Sequence, residues 1–134
     1  MRLFGLSQPA AAMTRPGEAP VALHISLRNS GDVTILDLRG RATIGRSNDL
    51  LAAELRRVVD AGSKKILVNL AEVAQVDSSG ISTIVRNFVS LQRSGGSLKL
   101  LNPSGKVREV LDVTRLLRSI PTFDDEKEAL ARFQ

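Results

Sequence analysis

Cysteine, tryptophan and tyrosine are all missing from this 134-residue sequence, which holds one histidine and only four phenylalanines. Without cysteine there is no disulfide and no thiolate metal site, and a lone imidazole is a poor basis for a zinc centre. No metal and no cofactor is expected. The scarcity of aromatics leaves the core to Leu, Ile, Val and Ala and offers no stacking platform for single-stranded nucleic acid. Missing too is any apolar run long enough to cross a bilayer. At the N-terminus Arg2 is followed only by the short Leu3–Leu6 apolar patch, too little for a secretory signal. A cytoplasmic chain with no membrane association is therefore expected. The net charge is +5, yet bases and acids are interleaved with no basic block, so direct nucleic-acid contact is not expected. A moderately basic face would instead attract an acidic partner.

With 43% apolar residues, the chain has material for one compact core and not for two. Residues 1–20, carrying Pro9, Pro16, Pro20, Gly5 and Gly17 without a usable period, read as a flexible tail ahead of a domain over residues 21–134. Leu23, Ile25 and Leu27 then alternate with His24, Ser26 and Arg28, the pattern of a half-buried strand. Asn29–Asp32 form the turn, and Val33–Arg39 return with Leu36 and Leu38 on one face and Val33 and Ile35 on the other. A loop over Gly40–Arg46 leads to a helix with Leu51, Leu55, Val58 and Val59 at helical spacing, capped by Ser47, Asn48 or Asp49 and ended by Gly62. Further on, Ser97–Leu101 reads as a strand and Val107, Val110 and Leu111 as the apolar side of a short helix. Ser119–Phe123 is a last strand that Pro121 marks as an edge. Asp125 and Glu128, at capping-box spacing, open a final helix that packs Ala129, Leu130 and Phe133. The expected class is α/β: a single domain with a mixed sheet of about five strands and about four helices, antiparallel in the opening hairpin and parallel at the later crossovers.

The remaining stretch, Lys64–Gly96, organises the rest. Ile66, Val68 and Leu70 share one face and Leu67 lies on the other, which suits a central strand. Ile81, Ile84, Val85, Phe88 and Val89 recur at steps of three and four, so one side of a helix faces a core. Its polar side is Ser82, Thr83, Arg86, Asn87, Ser90 and Arg93, and Gly95 ends it. Between strand and helix stands the turn Asp77, Ser78, Ser79, Gly80. Both serines fall where the first helical N–H groups lack partners, so a hydroxyl there would cap the helix. The same N–H groups and the helix dipole would favour a phosphoryl group placed on a serine. Those residues therefore fit two roles, a plain helix cap or a switch.

Catalysis finds no footing. A serine at a strand-to-helix turn suggests a nucleophile elbow, but that motif needs glycine two residues before the serine as well as after it. Neither Ser78 nor Ser79 has one on the N-terminal side. His24 lies on the polar face of an early strand and reads as a surface residue, leaving no base for a triad. Ser104-Gly105-Lys106 looks like the end of a phosphate-binding loop, but Leu100 stands where its first glycine belongs. No enzyme is expected.

The strand that ends in LVNLAEVAQV, the D-S-S-G turn and the following ISTIV together resemble the signature region of STAS domains, the family of bacterial anti-sigma factor antagonists. The likeness extends over roughly Ala22–Phe133. It implies a domain that binds an anti-sigma factor with serine kinase activity and so frees a sigma factor for transcription. By the same resemblance Ser78 is the phosphorylated residue, Asp77 orients the turn or meets the partner, and Ser79 with Gly80 starts the helix. The partner-binding set is then Asp77, Ser78, Ser79, Gly80, Ser82 and Thr83. One departure stands out: Thr43, flanked by Arg41 and Arg46, occupies a position where many members carry an acidic residue. The alternative within the family is a constitutive adaptor subunit of a transport ATPase or a stress-sensing complex, with Ser78 only a cap. The oligomeric state is left open.

Overall fold

A computed structural model describes residues 23–133. The tail expected over residues 1–20 lies outside them, as do residues 21, 22 and 134. In chain order the elements are β1 (Leu23–Ser30), β2 (Val33–Ala42), α1 (Arg46–Asp60), β3 (Lys65–Val76), α2 (Ser78–Arg93), β4 (Ser97–Leu101), α3 (Gly105–Val113), α4 (Leu116–Ser119), β5 (Thr122–Phe123) and α5 (Glu126–Ala131). The five strands lie side by side in the order of the chain. β1 and β2 are antiparallel, and β2, β3, β4 and β5 run parallel to one another.

This order decides where the helices go. Each parallel crossover steps one strand onward in the same direction, so right-handed connections place α1, α2 and α3 on one face. There Leu51, Leu55 and Val58 of α1, Ile84, Phe88 and Leu91 of α2, and Val107 and Leu111 of α3 bury Leu36, Leu38, Ile66, Val68, Leu70, Leu98 and Leu100. The helix α5 covers part of the opposite face, packing Ala129 and the adjoining Phe133 on Val33, Ile35, Leu67 and Leu101. The strand faces expected from alternation are thus the faces observed in β2, β3 and β4, while Leu27 of β1, expected inward with Leu23 and Ile25, is exposed; the expected α/β class holds.

Several boundaries differ from expectation, β1 running on to Ser30 and β2 to Ala42, into the expected turn and loop. β3 continues for six residues beyond Leu70, because its pairing with β2 shifts register between Asp37 and Arg39 and again between Gly40 and Arg41. Each shift inserts an extra residue into β3, so Leu70, Val73 and Val76 reach the same core at steps of three. A strand with that spacing no longer alternates. The last strand is only Thr122–Phe123, and Ser119 belongs to the helical turn α4. β5 still completes the edge, since Leu100 N–H donates to Pro121 O at 2.9 Å and Asn102 N–H to Phe123 O at 2.7 Å.

Beyond the apolar seat of α5, the second face is held by charge. Arg28 makes paired bonds to Asp37 (2.6 and 3.1 Å) and to Glu126 (2.6 and 2.9 Å), while Asn69 donates to Asp37 at 2.7 Å. One guanidinium therefore fastens the first turn of α5 to the sheet.

Candidate partner-binding site

β2 and β3 end together at Ala42 and Val76, and Asp77 N–H donates to Ala42 O at 3.3 Å as the chain leaves the sheet. Asp77, in an extended conformation, is the cap of α2. Its Oδ1 accepts from Ser79 N–H at 2.9 Å, Gly80 N–H at 3.2 Å and the Ser79 hydroxyl at 2.6 Å. Its Oδ2 accepts from Ile44 N–H, in the loop between β2 and α1, at 2.8 Å. The Ser79 hydroxyl, followed by the amides of Ile44, Gly80 and Ser79, holds the Asp77 carboxyl below its ordinary range. One carboxylate therefore joins the start of α2 to the neighbouring loop.

Two expectations change here. The cap is Asp77 and neither serine, because a carboxylate one residue earlier reaches the same amides. The amides of Ser79 and Gly80 are already donated to Asp77, so they are not open to a phosphoryl group on Ser78.

The two serines have opposite surroundings. Ser79 is half-buried with its hydroxyl committed to Asp77. Ser78 is exposed, and among the described residues no side-chain hydrogen bond holds its hydroxyl. Gly80 is buried where a Cβ would stand 2.5 Å from Ala42 O, so only glycine lets α2 start this close to the end of β2. Ser82, one turn on, is exposed.

Thr83 does not join that surface. It is 0% exposed, and its hydroxyl lies 2.7 Å from Asn48 Oδ1 and 3.1 Å from Ser79 O. The helical wheel places it on the polar side of α2, but α1 packs there, and a threonine hydroxyl satisfied by Asn48 can be buried at little cost. Asn48 is thereby engaged across the interface and does not cap α1. Gly45, with φ +97°, precedes that helix without a side-chain cap, and Ser47 is buried.

Ile44 adjoins the turn and was not among the expected residues. Its side chain is 80% exposed on the loop that Asp77 anchors. The only signal in the sequence is an isolated isoleucine in the otherwise polar or small run GRATIGR. Arg41 and Arg46 on either side are exposed. Elsewhere, His24 lines a polar groove of about 360 Å³ on the second sheet face with Ser26, Arg28, Asp37, Arg39, Asn69 and Glu72. Among the described residues no group of three or more His, Asp or Glu side chains is placed to hold a metal, and no helix is long and apolar enough to cross a membrane.

A five-stranded mixed sheet with helices packed against it is the architecture of the STAS domain. The STAS family model matches residues 24–129, and the chain belongs to that family. Over 76 residues it is 34% identical to a Thermotoga neapolitana protein whose name places it among anti-sigma factor antagonists, the match covering 57% of this chain and 67% of the relative. The crystal structure of a Thermotoga maritima protein named in the same terms superposes with a TM-score of 0.74 at 27% identity, over 81% of this chain and 93% of that one. The Bacillus cell fate determinant SpoIIAA in its phosphorylated form shares the fold, with a TM-score of 0.65 at 22% identity over 83% of this chain and all (100%) of its own.

Proposed function

We propose that this chain is an anti-sigma factor antagonist. It binds an anti-sigma factor that is also a serine kinase, frees the sigma factor that protein holds, and is switched off when the kinase phosphorylates Ser78. A single observation carries this: Ser78 offers an exposed hydroxyl on a turn that Asp77 immobilises, while the hydroxyl of Ser79 is already engaged. The names of the relatives support it. The contact surface comprises the Asp77 turn with Ser78, Ser79 and Ser82, and the chain acts on transcription in the cytoplasm through its partner, without touching DNA and without chemistry of its own.

The switch needs no refolding. Phosphorylation adds about 1.5 to 2 negative charges and three acceptor oxygens. The amides nearest to Ser78 are already donated to Asp77, and that carboxylate repels a second anion. The phosphoryl group therefore projects into the contact surface. A loss of ~3 kcal/mol there weakens binding somewhat more than a hundredfold, enough to release a partner.

Affinity capture with wild-type and Ser78→Asp chains, followed by kinase assays on Ser78→Ala and Ser79→Ala, tests the proposal. The expected result is an ATPase-domain anti-sigma factor retained by wild type and lost by Ser78→Asp, with labelling abolished in Ser78→Ala and kept in Ser79→Ala. Labelling kept in Ser78→Ala and lost in Ser79→Ala would overturn the assignment. Retention of one transport or scaffold protein by both baits would make the domain a fixed adaptor.

A further inference from the structure

Phosphorylation of Ser78 does not dictate what surrounds it, and the surroundings have a definite chemistry. Ile44 leaves 80% of its surface in water, although the loop that carries it is fixed at several points. Its own N–H is bound by Asp77 at 2.8 Å, Asn48 N–H donates to Thr43 O at 3.0 Å and Asp49 N–H to Gly45 O at 3.0 Å. An apolar side chain held out on a fixed loop loses little freedom when a partner covers it, which is the setting in which anchor residues act.

The loop that carries it is basic. Arg28, Arg57, Lys65 and Arg108 pair with carboxylates; Arg41 and Arg46, like the other described cations, have none within ion-pair distance among the described residues. From Arg41 to Asn48 the chain carries two arginines and no acid, and the next acid is Asp49 in the first turn of α1. The carboxylate that binds Ile44 N–H, Asp77, has both oxygens occupied.

We infer that Ile44 is the apolar anchor of the surface the partner covers, and that the partner receives it in an apolar pocket edged by carboxylates facing Arg41 and Arg46. This rests on the antagonist reading and adds to it the nature of the opposing surface. It also gives the proposed switch a physical cause: a phosphoryl group on Ser78 would face carboxylates already drawn to the arginines, and like charges brought together across an interface are strongly disfavoured.

The test is isothermal titration of the purified anti-sigma factor that the wild-type chain captures. Ile44→Ser is expected to weaken binding about tenfold or more. Ile44→Val keeps most of the apolar surface and should stay within about threefold of wild type. The double variant Arg41→Glu/Arg46→Glu should also bind about tenfold more weakly and lose most of the salt dependence of the wild type. Val113→Ser is the control, because Val113 is 82% exposed but lies at the end of α3, at the opposite end of the sheet from Ser78. It should bind as wild type does. If wild type binds and Ile44→Ser binds within about twofold of it, or if the double variant binds more tightly, this inference is wrong and the antagonist reading stands. If wild type binds no anti-sigma factor, the antagonist reading fails and takes this inference with it.

Discussion

The two faces of the sheet are covered by different means. On one, α1, α2 and α3 bury a broad apolar layer that reaches from Leu23 to Ile120. On the other, a short helix sits on Val33, Ile35, Leu67 and Leu101 and is fastened by Arg28 through Asp37 and Glu126. Apolar area resists acid, whereas carboxylates do not. Burial pushes the Asp37 carboxyl up, but the bonds from Arg28 and Asn69 outweigh it and leave it below its ordinary range. Glu126 is lowered chiefly by Arg28. Since both folded values are depressed, their stabilisation is fully present above the ordinary carboxylate range near ~4 and is lost as pH falls through the folded values. The α5 face is therefore acid-sensitive through Arg28 and its two carboxylates, whereas on the other face that sensitivity is confined to the Asp77 cap.

The contrast can be broken at several points. Leu55 is fully buried in the broad layer, so Leu55→Ala should cost about 3 kcal/mol in urea unfolding at any pH where the domain folds. A smaller loss than that of the latch variant below would erase the distinction between the faces. Gly80→Ala forces a Cβ onto Ala42 O where α2 starts and should cost about 2 kcal/mol; an unchanged unfolding midpoint would show that the start of the helix shifts freely. Arg28→Ala cuts the latch. With the Arg28 side chain 43% exposed, solvent screening limits the loss to about 1 kcal/mol at neutral pH. The amides of α5 should exchange faster, and stability should fall less between pH 7 and pH ~3 than in wild type. An unchanged pH dependence would remove Arg28 as the cause of the acid sensitivity. The smallest effect belongs to Ser78→Ala, within about 0.5 kcal/mol of wild type, because an exposed hydroxyl without a partner contributes little to folding. A larger loss would make Ser78 a structural residue.

Much of this was legible in advance. Alternation of period two separated Leu36 and Leu38 from Val33 and Ile35, and the spacing of Asp125 and Glu128 marked the start of α5, where Asp125 Oδ2 accepts from Glu128 N–H at 3.0 Å. The second half of β3 was not legible, because extra residues at two register shifts replace alternation with steps of three. In the site, the D-S-S-G turn was placed correctly between its strand and its helix, but which of its oxygens caps α2 was not. Whether Asp77 or a serine caps α2 depends on which oxygen reaches the amides first, and that is a matter of backbone direction at the end of β3. Thr83 read as polar surface because the identity of the neighbouring helix is absent from any single helical wheel. Ile44 was missed because an isolated apolar residue in a loop has no period at all.

The sheet order carries one more consequence. Because spatial order repeats chain order, every strand made by the ribosome finds its earlier neighbour already synthesised, and none must be inserted between two strands already paired. Starting from the hairpin of β1 and β2, the domain can assemble by accretion, one crossover at a time, with short loops to close at each step. The turn that bears Ser78 takes its hydrogen bonds from the end of β2, from the loop that follows it and from its own first helical turn, all synthesised before β4, β5 and α5.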